Sequence, residues 1–441
     1  MLFNSLEKLK SIFEVTNYKE DKKVRSFQFD SRLIEAGDVF VALKAERDGH
    51  DFMQAAIEKG AIAIIVEDEK PELAIPQFKT KNTWQALELI AEQSRKAFKG
   101  KTIAVTGSCG KTTIKQMLLH SLNNCYATEG NFNGLLGLPI TLTHLTQDSD
   151  YAVLELGTDE MGNLDKLTSL AKPDFAIVTS IGPAHLQMFK TINNIITEKL
   201  SVANGLSENG SLIIPHEYLD RAKELTTKDI LTVSLTDNQA SAYVISTEGN
   251  NVKASINNQE LTFSLEDTSS HKLINALIVL TLLDIMGFDI QIEKAKIENF
   301  KAPAGRGEQT FLANNVTLFD ESYNANPLSM KKAIESFKNL SKNKKVAILG
   351  DMLELGEDEV LLHMQLANFC KEIETIYTVG KLMSNLHTQL ENMQINTKHF
   401  ESHEDMLEFL ASQTFENCDI LVKGSKGSKV STAIELLKKT N

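Results

Sequence analysis

The segment AVTGSCGKTTIKQML, residues 104–118, carries the residue types of a phosphate-binding loop in an unusually short spacing. The common form places two glycines five positions apart before Lys-Ser/Thr, whereas Gly107 stands only three residues before Gly110. A strand that runs into these glycines, and a helix that opens at Lys111, would point backbone N–H groups and a helix dipole at one spot. Lys111 supplies a cation for phosphates and Thr112 a hydroxyl for Mg²⁺. The segment therefore predicts an ATP site, and the alternative is a glycine turn with a chance Lys-Thr.

Two more polar side chains follow strand candidates. Glu155 ends the apolar run YAVLEL, and His185 comes just after DFAIVTSIGPA. Ligands gather at the carboxyl ends of parallel strands, and Mg²⁺ held on phosphates commonly takes one or two carboxylates. Taken alone, Glu155 could face solvent and His185 could be structural. Beside the glycine loop, both are predicted metal ligands.

A third group of candidates opens the last part of the chain. APAGRGEQ, residues 302–309, places Arg306 between two glycines, where a guanidinium could clamp a phosphate if two domains close. The alternative is a solvated linker arginine. FDESYNANP, residues 319–327, adds Asp320 and several amides, but such residues also favour turns, so this signal is weak alone.

Strand and helix candidates alternate in three blocks, which predicts an α/β protein of three domains. Residues 1–98 form an N-terminal α/β domain. Residues 99–302 form a central domain with a parallel sheet and, around 240–266, a small antiparallel subsheet. Residues 303–441 form a Rossmann-like C-terminal domain.

Composition narrows the class of protein. The 441 residues carry a net charge of −13 and 42% hydrophobic residues, without a basic stripe for nucleic acid. The four cysteines form no C-x-x-C pair, which argues against zinc or a disulfide framework and favours a reducing compartment. No apolar run is long enough to span a membrane. We expect a cytoplasmic enzyme, monomeric, that acts on small molecules.

The motifs resemble those of one family. TGSCGKTT is similar to the short glycine loop of the Mur ligases, the ATP-dependent amide-bond ligases of peptidoglycan synthesis. LELGTDEMG, IGPAHL, GRGE, DESYNANPLSM, GDMLELG and LVKGS resemble the members that add D-alanyl-D-alanine. DSRLIEAGDVFVALKAERDGHDF resembles the family's uridine-nucleotide segment, and NFNGLLGLP its asparagine-rich substrate loop. The motifs run from residue 30 to about residue 426, in family order.

The resemblance implies a reaction. ATP would phosphorylate the terminal carboxylate of UDP-N-acetylmuramoyl-tripeptide to an acyl phosphate. The amine of D-alanyl-D-alanine would then displace phosphate and give the pentapeptide. The cofactors would be ATP and two Mg²⁺ ions, and Lys199 would be carbamylated to bind metal.

The resemblance also implies residue roles. The catalytic set is Lys111, Glu155, His185, Lys199 and Arg306. The metal set is Thr112, Glu155, His185 and Lys199. The nucleotide set, with Asn275 at adenine and Asp320 at the ribose, is Thr106, Gly107, Ser108, Cys109, Gly110, Lys111, Thr112, Thr113, Asn275, Arg306 and Asp320. The substrate set is Ser31, Arg32, Asn131, Asn133, Tyr323, Asn324 and Asn326.

The chain departs from the family pattern at four positions. Lys272 replaces an asparagine of the adenine motif, Gly134 replaces one of the substrate loop, and Lys426 stands where arginine is preferred. Cys109 replaces the asparagine of the glycine loop. A thiol beside a helix N-terminus has a depressed pKa in some proteins, so we predict a reactive Cys109 that bound ATP protects.

Other functions stay open at this point. A sister ligase that adds the third residue usually carries D-N-P-R, which this chain lacks. A folylpolyglutamate synthase would not need the uridine segment. An ATP-binding switch without ligase chemistry is a remote alternative. The third residue of the tripeptide, lysine or diaminopimelate, also stays open.

Overall fold

The computed structural model describes residues 1–440 and contains three α/β units, each built on its own sheet. This confirms the predicted fold class. The sheets comprise residues 14–79, 101–264 and 308–423. Each sheet lies inside one of the predicted domains, whose boundaries stay a prediction.

The N-terminal unit has a five-stranded sheet in the order β1-β5-β4-β3-β2. β1 is antiparallel to β5, and the other neighbours are parallel. Its strands are β1 Glu14–Thr16, β2 Phe27–Gln28, β3 Val39–Val41, β4 Ala63–Val66 and β5 Gln77–Lys79. Its helices are α1 Leu6–Lys10, α2 Met53–Glu58 and α3 Thr83–Ala97.

The central unit has a nine-stranded sheet in the order β14-β13-β12-β11-β10-β9-β6-β8-β7. Its strands are β6 Lys101–Thr106, β7 Cys125–Ala127, β8 Tyr151–Glu155, β9 Phe175–Val178, β10 Ser211–Pro215, β11 Asp229–Ser234, β12 Ala242–Glu248, β13 Asn251–Ile256 and β14 Gln259–Ser264. Pairing is parallel from β7 to β12, and β13 is antiparallel to both of its neighbours, β12 and β14. The predicted antiparallel segment therefore extends the parallel sheet through β12.

Helices cover both faces of this central sheet. They are α4 Lys111–Ser121, α5 Gly137–Thr143, α6 Asn163–Ala171, α7 Leu186–Phe189, α8 Ile192–Leu200, α9 Leu219–Leu225, α10 Ser270–Ile285 and α11 Ile290–Glu298. Along β6, Ile103 and Val105 enter one apolar cluster while Ala104 enters the other. A strand buried on both faces has to be apolar throughout, which is why TIAVT reads as a continuous run.

The C-terminal unit has a six-stranded sheet in the order β15-β16-β20-β17-β18-β19. Only the edge strand β15 is antiparallel to its neighbour. The strands are β15 Glu308–Leu312, β16 Val316–Asp320, β17 Lys344–Gly350, β18 Thr375–Val379, β19 Thr397–Phe400 and β20 Cys418–Lys423. The helices are α12 Pro327–Leu340, α13 Glu359–Gln365, α14 Met383–Asn392, α15 His403–Ala411 and α16 Thr432–Thr440.

The topology brings strand ends of two sheets towards each other. β6 lies between β8 and β9, so the glycine loop after β6 lies between Glu155 and the residues that follow β9. In the C-terminal unit, β16 ends at Asp320 and the neighbouring β20 ends at Lys423. Within residues 1–440, no helix is long and apolar enough to cross a membrane.

Candidate active site

The glycine loop takes a conformation that only its glycines allow. Gly107 has φ +140° and Gly110 has φ +89°, and a Cβ at Gly107 would overlap the hydroxyl of Thr179. L-residues with side chains rarely adopt these angles. The carbonyl of Cys109 accepts hydrogen bonds from Thr179 Oγ1 and from Ser180 Oγ, the latter at 3.1 Å. The residues that directly follow β9 therefore fix the glycine loop through hydrogen bonds to its backbone.

Lys111 folds back over this loop. Its Nζ donates to the carbonyl of Gly107 at 2.6 Å. Desolvation lowers the pKa of Lys111, and the charge of Glu155 opposes that shift. The Lys111 ammonium thus lies where it can bind an anion that also accepts hydrogen bonds from the backbone N–H groups of the loop.

Glu155 is 3% exposed, and both of its carboxylate oxygens have partners. Oε2 accepts from Thr112 Oγ1 at 2.9 Å and lies 3.3 Å from Lys115 Nζ, while Oε1 accepts from Asn133 Nδ2 at 2.8 Å. Burial alone would raise the pKa of Glu155, but Lys111 and Lys115 hold it below its usual value. Because Glu155 stays ionised in a buried place, it is suited to bind a cation.

His185 connects the central unit to the C-terminal unit. It has φ +52° and precedes α7, and its Nδ1 lies 2.6 Å from Glu354 Oε2 on the segment after β17. Desolvation lowers the pKa of His185, although Glu354 opposes this shift. A predominantly neutral imidazole suits metal ligation.

Lys199 lies near the C-terminal end of α8 and is 2% exposed. Desolvation, with a smaller contribution from Lys111, lowers the pKa of Lys199 to about 7. Its Nζ is 3.4 Å from the carbonyl of Thr158. A large fraction of this amine is therefore neutral, and nucleophilic, near neutral pH.

The C-terminal unit presents Arg306 on an aromatic platform. The guanidinium carbon lies 3.9 Å from the ring centroid of Tyr323. Asp320 accepts hydrogen bonds from Ser322 N at 3.0 Å and from Gly305 N at 3.1 Å, which fixes the loop on which Arg306 is carried. In this structure the Asp320 carboxylate supports that loop, and its predicted ribose contact stays a prediction.

Asn326 joins the two units at the glycine loop. It is the N-cap of α12, where its Oδ1 accepts from Ser329 N at 2.8 Å in a capping box. Its Nδ2 donates to the carbonyl of Ser108 at 3.3 Å, and its Oδ1 accepts from Cys109 Sγ at 3.4 Å. Cys109 is half-buried, and its predicted reactivity stays a prediction.

A cavity of about 430 Å³ lies between these two units. The predicted residues that line it are Ser108, Cys109, Gly110, Lys111, Thr112, Thr113, Asn131, Asn133, Glu155, His185, Asn275, Arg306, Tyr323, Asn324 and Asn326. The predicted residues that do not line it are Ser31, Arg32, Thr106, Gly107, Lys199 and Asp320. Arg32 is exposed on the N-terminal unit, where its Nη2 lies 2.7 Å from Asp30 Oδ2.

The sequence interpretation missed several residues of the site. Thr179 and Ser180 stand near the end of the apolar run DFAIVTSI, directly after β9, so their position was a usable signal. Lys423 is the last residue of β20, and its Nζ donates to the carbonyl of Asn324 at 3.1 Å. Lys115 stands one helical turn after Lys111 and looked like any helix lysine.

The donor set is compatible with Mg²⁺ only if phosphate or water completes it. Within the described residues 1–440, no group of three or more His, Cys, Asp or Glu side chains is arranged to hold a metal ion. Mg²⁺ on nucleotides typically keeps several waters and takes one or two protein carboxylates. Glu155 with Thr112 fits that pattern.

Fold and site together define a phosphate-loop nucleotide-binding protein whose cavity is closed by a second α/β unit. Three family models match the chain: "Mur ligase family, catalytic domain" at residues 23–95, "Mur ligase middle domain" at 105–283 and "Mur ligase, glutamate ligase domain" at 305–426. A relative from Rickettsia prowazekii, named UDP-N-acetylmuramoyl-tripeptide--D-alanyl-D-alanine ligase, is 32% identical over 92% of this chain and 94% of its own. The chain belongs to the Mur ligase family.

Solved structures agree with this assignment. The MurF structure from Acinetobacter baumannii superposes with a TM-score of 0.87 at 26% identity and covers 98% of both chains. The MurF ligase from Thermotoga maritima in complex with ADP superposes with a TM-score of 0.82 at 26% identity, over 95% of this chain and 98% of that one.

Proposed function

We propose that this protein joins D-alanyl-D-alanine to UDP-N-acetylmuramoyl-tripeptide with ATP and releases ADP and phosphate. The observation that carries the proposal is similarity along nearly the whole chain to ligases of that name, together with a cavity lined by the glycine loop. The ADP complex of the Thermotoga relative supports ATP as the nucleotide. The Mur-type adders of single amino acids are the alternative that the experiment below distinguishes.

The charges of the cavity suit the first step. A carboxylate oxygen of the tripeptide attacks the γ-phosphorus of ATP, ADP leaves, and an acyl phosphate forms. Two anions must approach each other, so cations are needed at the point of transfer. Lys111 on the glycine loop and Arg306 on the facing unit stand on opposite walls of the cavity and would neutralise that charge.

The second step needs alignment more than new charge. The dipeptide amine attacks the acyl carbon, a tetrahedral intermediate collapses, phosphate leaves and the nitrogen gives up a proton. Holding three substrates in line is mainly a proximity problem. We assign the uridine nucleotide to the Ser31–Arg32 segment and the muramoyl peptide to the Asn131 and Asn133 loop. Tyr323 and Asn324 lie on the dipeptide side.

Mg²⁺ would be held by Thr112 and Glu155 near the glycine loop, and a second ion by His185 with carbamylated Lys199. The ions would neutralise phosphate charge. The lowered pKa of Lys199, about 7, fits the requirement that a neutral amine add CO₂ and lose a proton. With carbon-13 bicarbonate, we expect a carbamate NMR signal that is missing in Lys199→Ala. The same signal in that variant would refute the assignment.

The thiols support a cytoplasmic compartment. Cys109, Cys125, Cys370 and Cys418 are all free. Four unpaired cysteines suit a reducing compartment, so we place the reaction in the cytoplasm.

Phosphate release tests the proposed function. Purified protein with ATP and Mg²⁺ receives the UDP-muramoyl tripeptide, D-alanyl-D-alanine, both or neither. We expect release only with both, and a UDP-muramoyl pentapeptide in the mass spectrum. Phosphate release with a single amino acid in place of the dipeptide would contradict the assigned acceptor. Release without any substrate would instead indicate an ATPase or switch.

A further inference from the structure

Lys115 is a buried cation that the mechanism above does not use. It lies on α4, one turn after Lys111, is 2% exposed and does not line the cavity. Its Nζ donates to the carbonyl of Thr128 at 2.7 Å and lies 3.3 Å from Glu155 Oε2. An ammonium in such a place is costly unless it is paired. Its two partners, the Thr128 carbonyl and the Glu155 carboxylate, therefore show which segments Lys115 connects.

The first partner, Thr128, is the residue at which the chain leaves the sheet after β7. Its N–H donates to the carbonyl of Val153 at 3.0 Å, and its Oγ1 accepts from Glu155 N at 3.0 Å. The bond from Lys115 satisfies the carbonyl. Thr128 is thus fixed to both β8 and α4.

The loop that follows, residues 129–136, is bonded to the other oxygen of the Glu155 carboxylate. Asn133 Nδ2 donates to Glu155 Oε1 at 2.8 Å, and its carbonyl accepts from Gly157 N at 2.8 Å. Phe132 packs edge-on against Phe29 of the N-terminal unit, with ring centroids 6.4 Å apart. The loop therefore contacts both the N-terminal unit and the Glu155 carboxylate.

We propose that Lys115 is a positioning residue that sets the substrate loop, residues 129–136, in register with the glycine loop. It connects the helix that starts at Lys111 to the origin of the substrate loop, and it shares Glu155 with Asn133. The inference rests on the proposed function, because the assignment of residues 129–136 as a substrate loop is part of that proposal. Lys115 acts through these neighbours and does not touch substrate.

The test compares Lys115→Met with Lys296→Met, because Lys296 lies on α11 and also donates to a carbonyl of α4. Lys296 Nζ donates to the carbonyl of Ser121, the last residue of α4, at 2.8 Å, but contacts neither Glu155 nor the loop. In Lys115→Met we expect backbone amides of residues 129–136 to exchange with deuterium about tenfold faster, because a hydrogen bond that anchors them is lost. KM for UDP-muramoyl tripeptide should rise about tenfold and KM for ATP less than threefold.

Lys296→Met should alter melting temperature without changing loop exchange or the tripeptide KM. Unchanged loop exchange in Lys115→Met, or equal rises in both KM values, would overturn the proposal. If Lys115→Met does not fold, Lys115→Gln, which keeps a polar donor, is measured in the same way, with the same expected direction. Wild-type ligation is measured first, so failure of the proposed function shows as no pentapeptide before any variant is compared.

Discussion

The two walls of the cavity are held in place by different means. On the central unit, Glu155 and the carbonyl of Cys109 each have several partners within the same unit. On the C-terminal unit, the Arg306 guanidinium packs on the Tyr323 ring. Among the described residues 1–440, no carboxylate forms an ion pair with it. The wall from the central unit is therefore preorganised by its own hydrogen bonds. The wall from the C-terminal unit presents the Arg306 guanidinium, which is free to bind a phosphate.

Several contacts between the walls are polar. Asn326 bonds to Ser108 and Cys109, and Glu354 pairs with His185. Such contacts suit units that open and close around substrates. The comparison therefore predicts that substitutions on the central wall lower kcat most. Substitutions at the contacts between the two walls should mainly weaken nucleotide affinity.

Lys111→Ala should give the largest loss. Its ammonium bonds to Gly107 and faces the phosphate position, so we expect kcat to fall by about 10³-fold or more. Lys101→Ala is the control, because Lys101 starts β6, the strand that leads into the glycine loop, and pairs with Asp174 at 3.0 Å. Phosphate release measures both. Near wild-type turnover in Lys111→Ala would refute its role.

Arg306→Ala tests the second wall. We expect kcat to fall about 10²-fold, since one cation near the transferred phosphate is lost. Arg306→Lys should recover only part of this, because an ammonium lacks the planar fork and the ring stacking. Arg221→Ala, which removes a surface arginine paired with Glu224, should leave kcat unchanged. Full activity in Arg306→Lys would show that charge alone is needed there.

Asn326→Ser tests the contact between the walls. Serine can still cap α12, but it is too short to reach Ser108, so stability should hold while KM for ATP rises about threefold. Steady-state kinetics and a melting curve are compared. A lower melting temperature with unchanged KM would mean that Asn326 serves only as a cap.

The smallest expected effect depends on pH. His144 Nε2 lies 3.0 Å from the carbonyl of Phe27 and ties the central unit to β2. Burial lowers the pKa of His144 below its usual 6.5, so the unfolded chain takes up the proton first. The stability that depends on a neutral, buried His144 is therefore complete above pH 6.5 and decreases as pH falls below it, although the bond to Phe27 opposes the shift.

His144→Gln removes that titration. Between pH 7 and pH 5, wild-type melting temperature should fall more than that of the variant, by roughly 2 °C. Parallel curves for the two proteins would contradict this assignment. The midpoint of the difference also reports how far the folded pKa is lowered.

The sequence predicted those parts of the site whose signal is local. The glycine loop, Glu155 and His185 follow apolar strands, and parallel topology requires such strand ends to meet. Arg306 stands out because glycines flank it. The fold class follows from the alternation of strands and helices for the same reason.

Other parts have no local signal. Lys115 and Lys423 matter because each bonds to a backbone carbonyl outside its own element, and Lys199 looks like an ordinary helix lysine until burial lowers its pKa. The amide of Asn326 bonds to the glycine loop, a contact that spans more than two hundred residues of chain, and its predicted substrate contact stays a prediction. Only the packed fold brings such residues together.

The most direct measurement uses tripeptide labelled with oxygen-18 in its terminal carboxylate. The complete reaction is run with ATP, Mg²⁺ and D-alanyl-D-alanine, and the released phosphate is analysed by mass spectrometry. If the cavity activates that carboxylate as an acyl phosphate, one oxygen-18 appears in phosphate for each pentapeptide formed. Pentapeptide formed with unlabelled phosphate, or labelled phosphate without pentapeptide, would contradict the account.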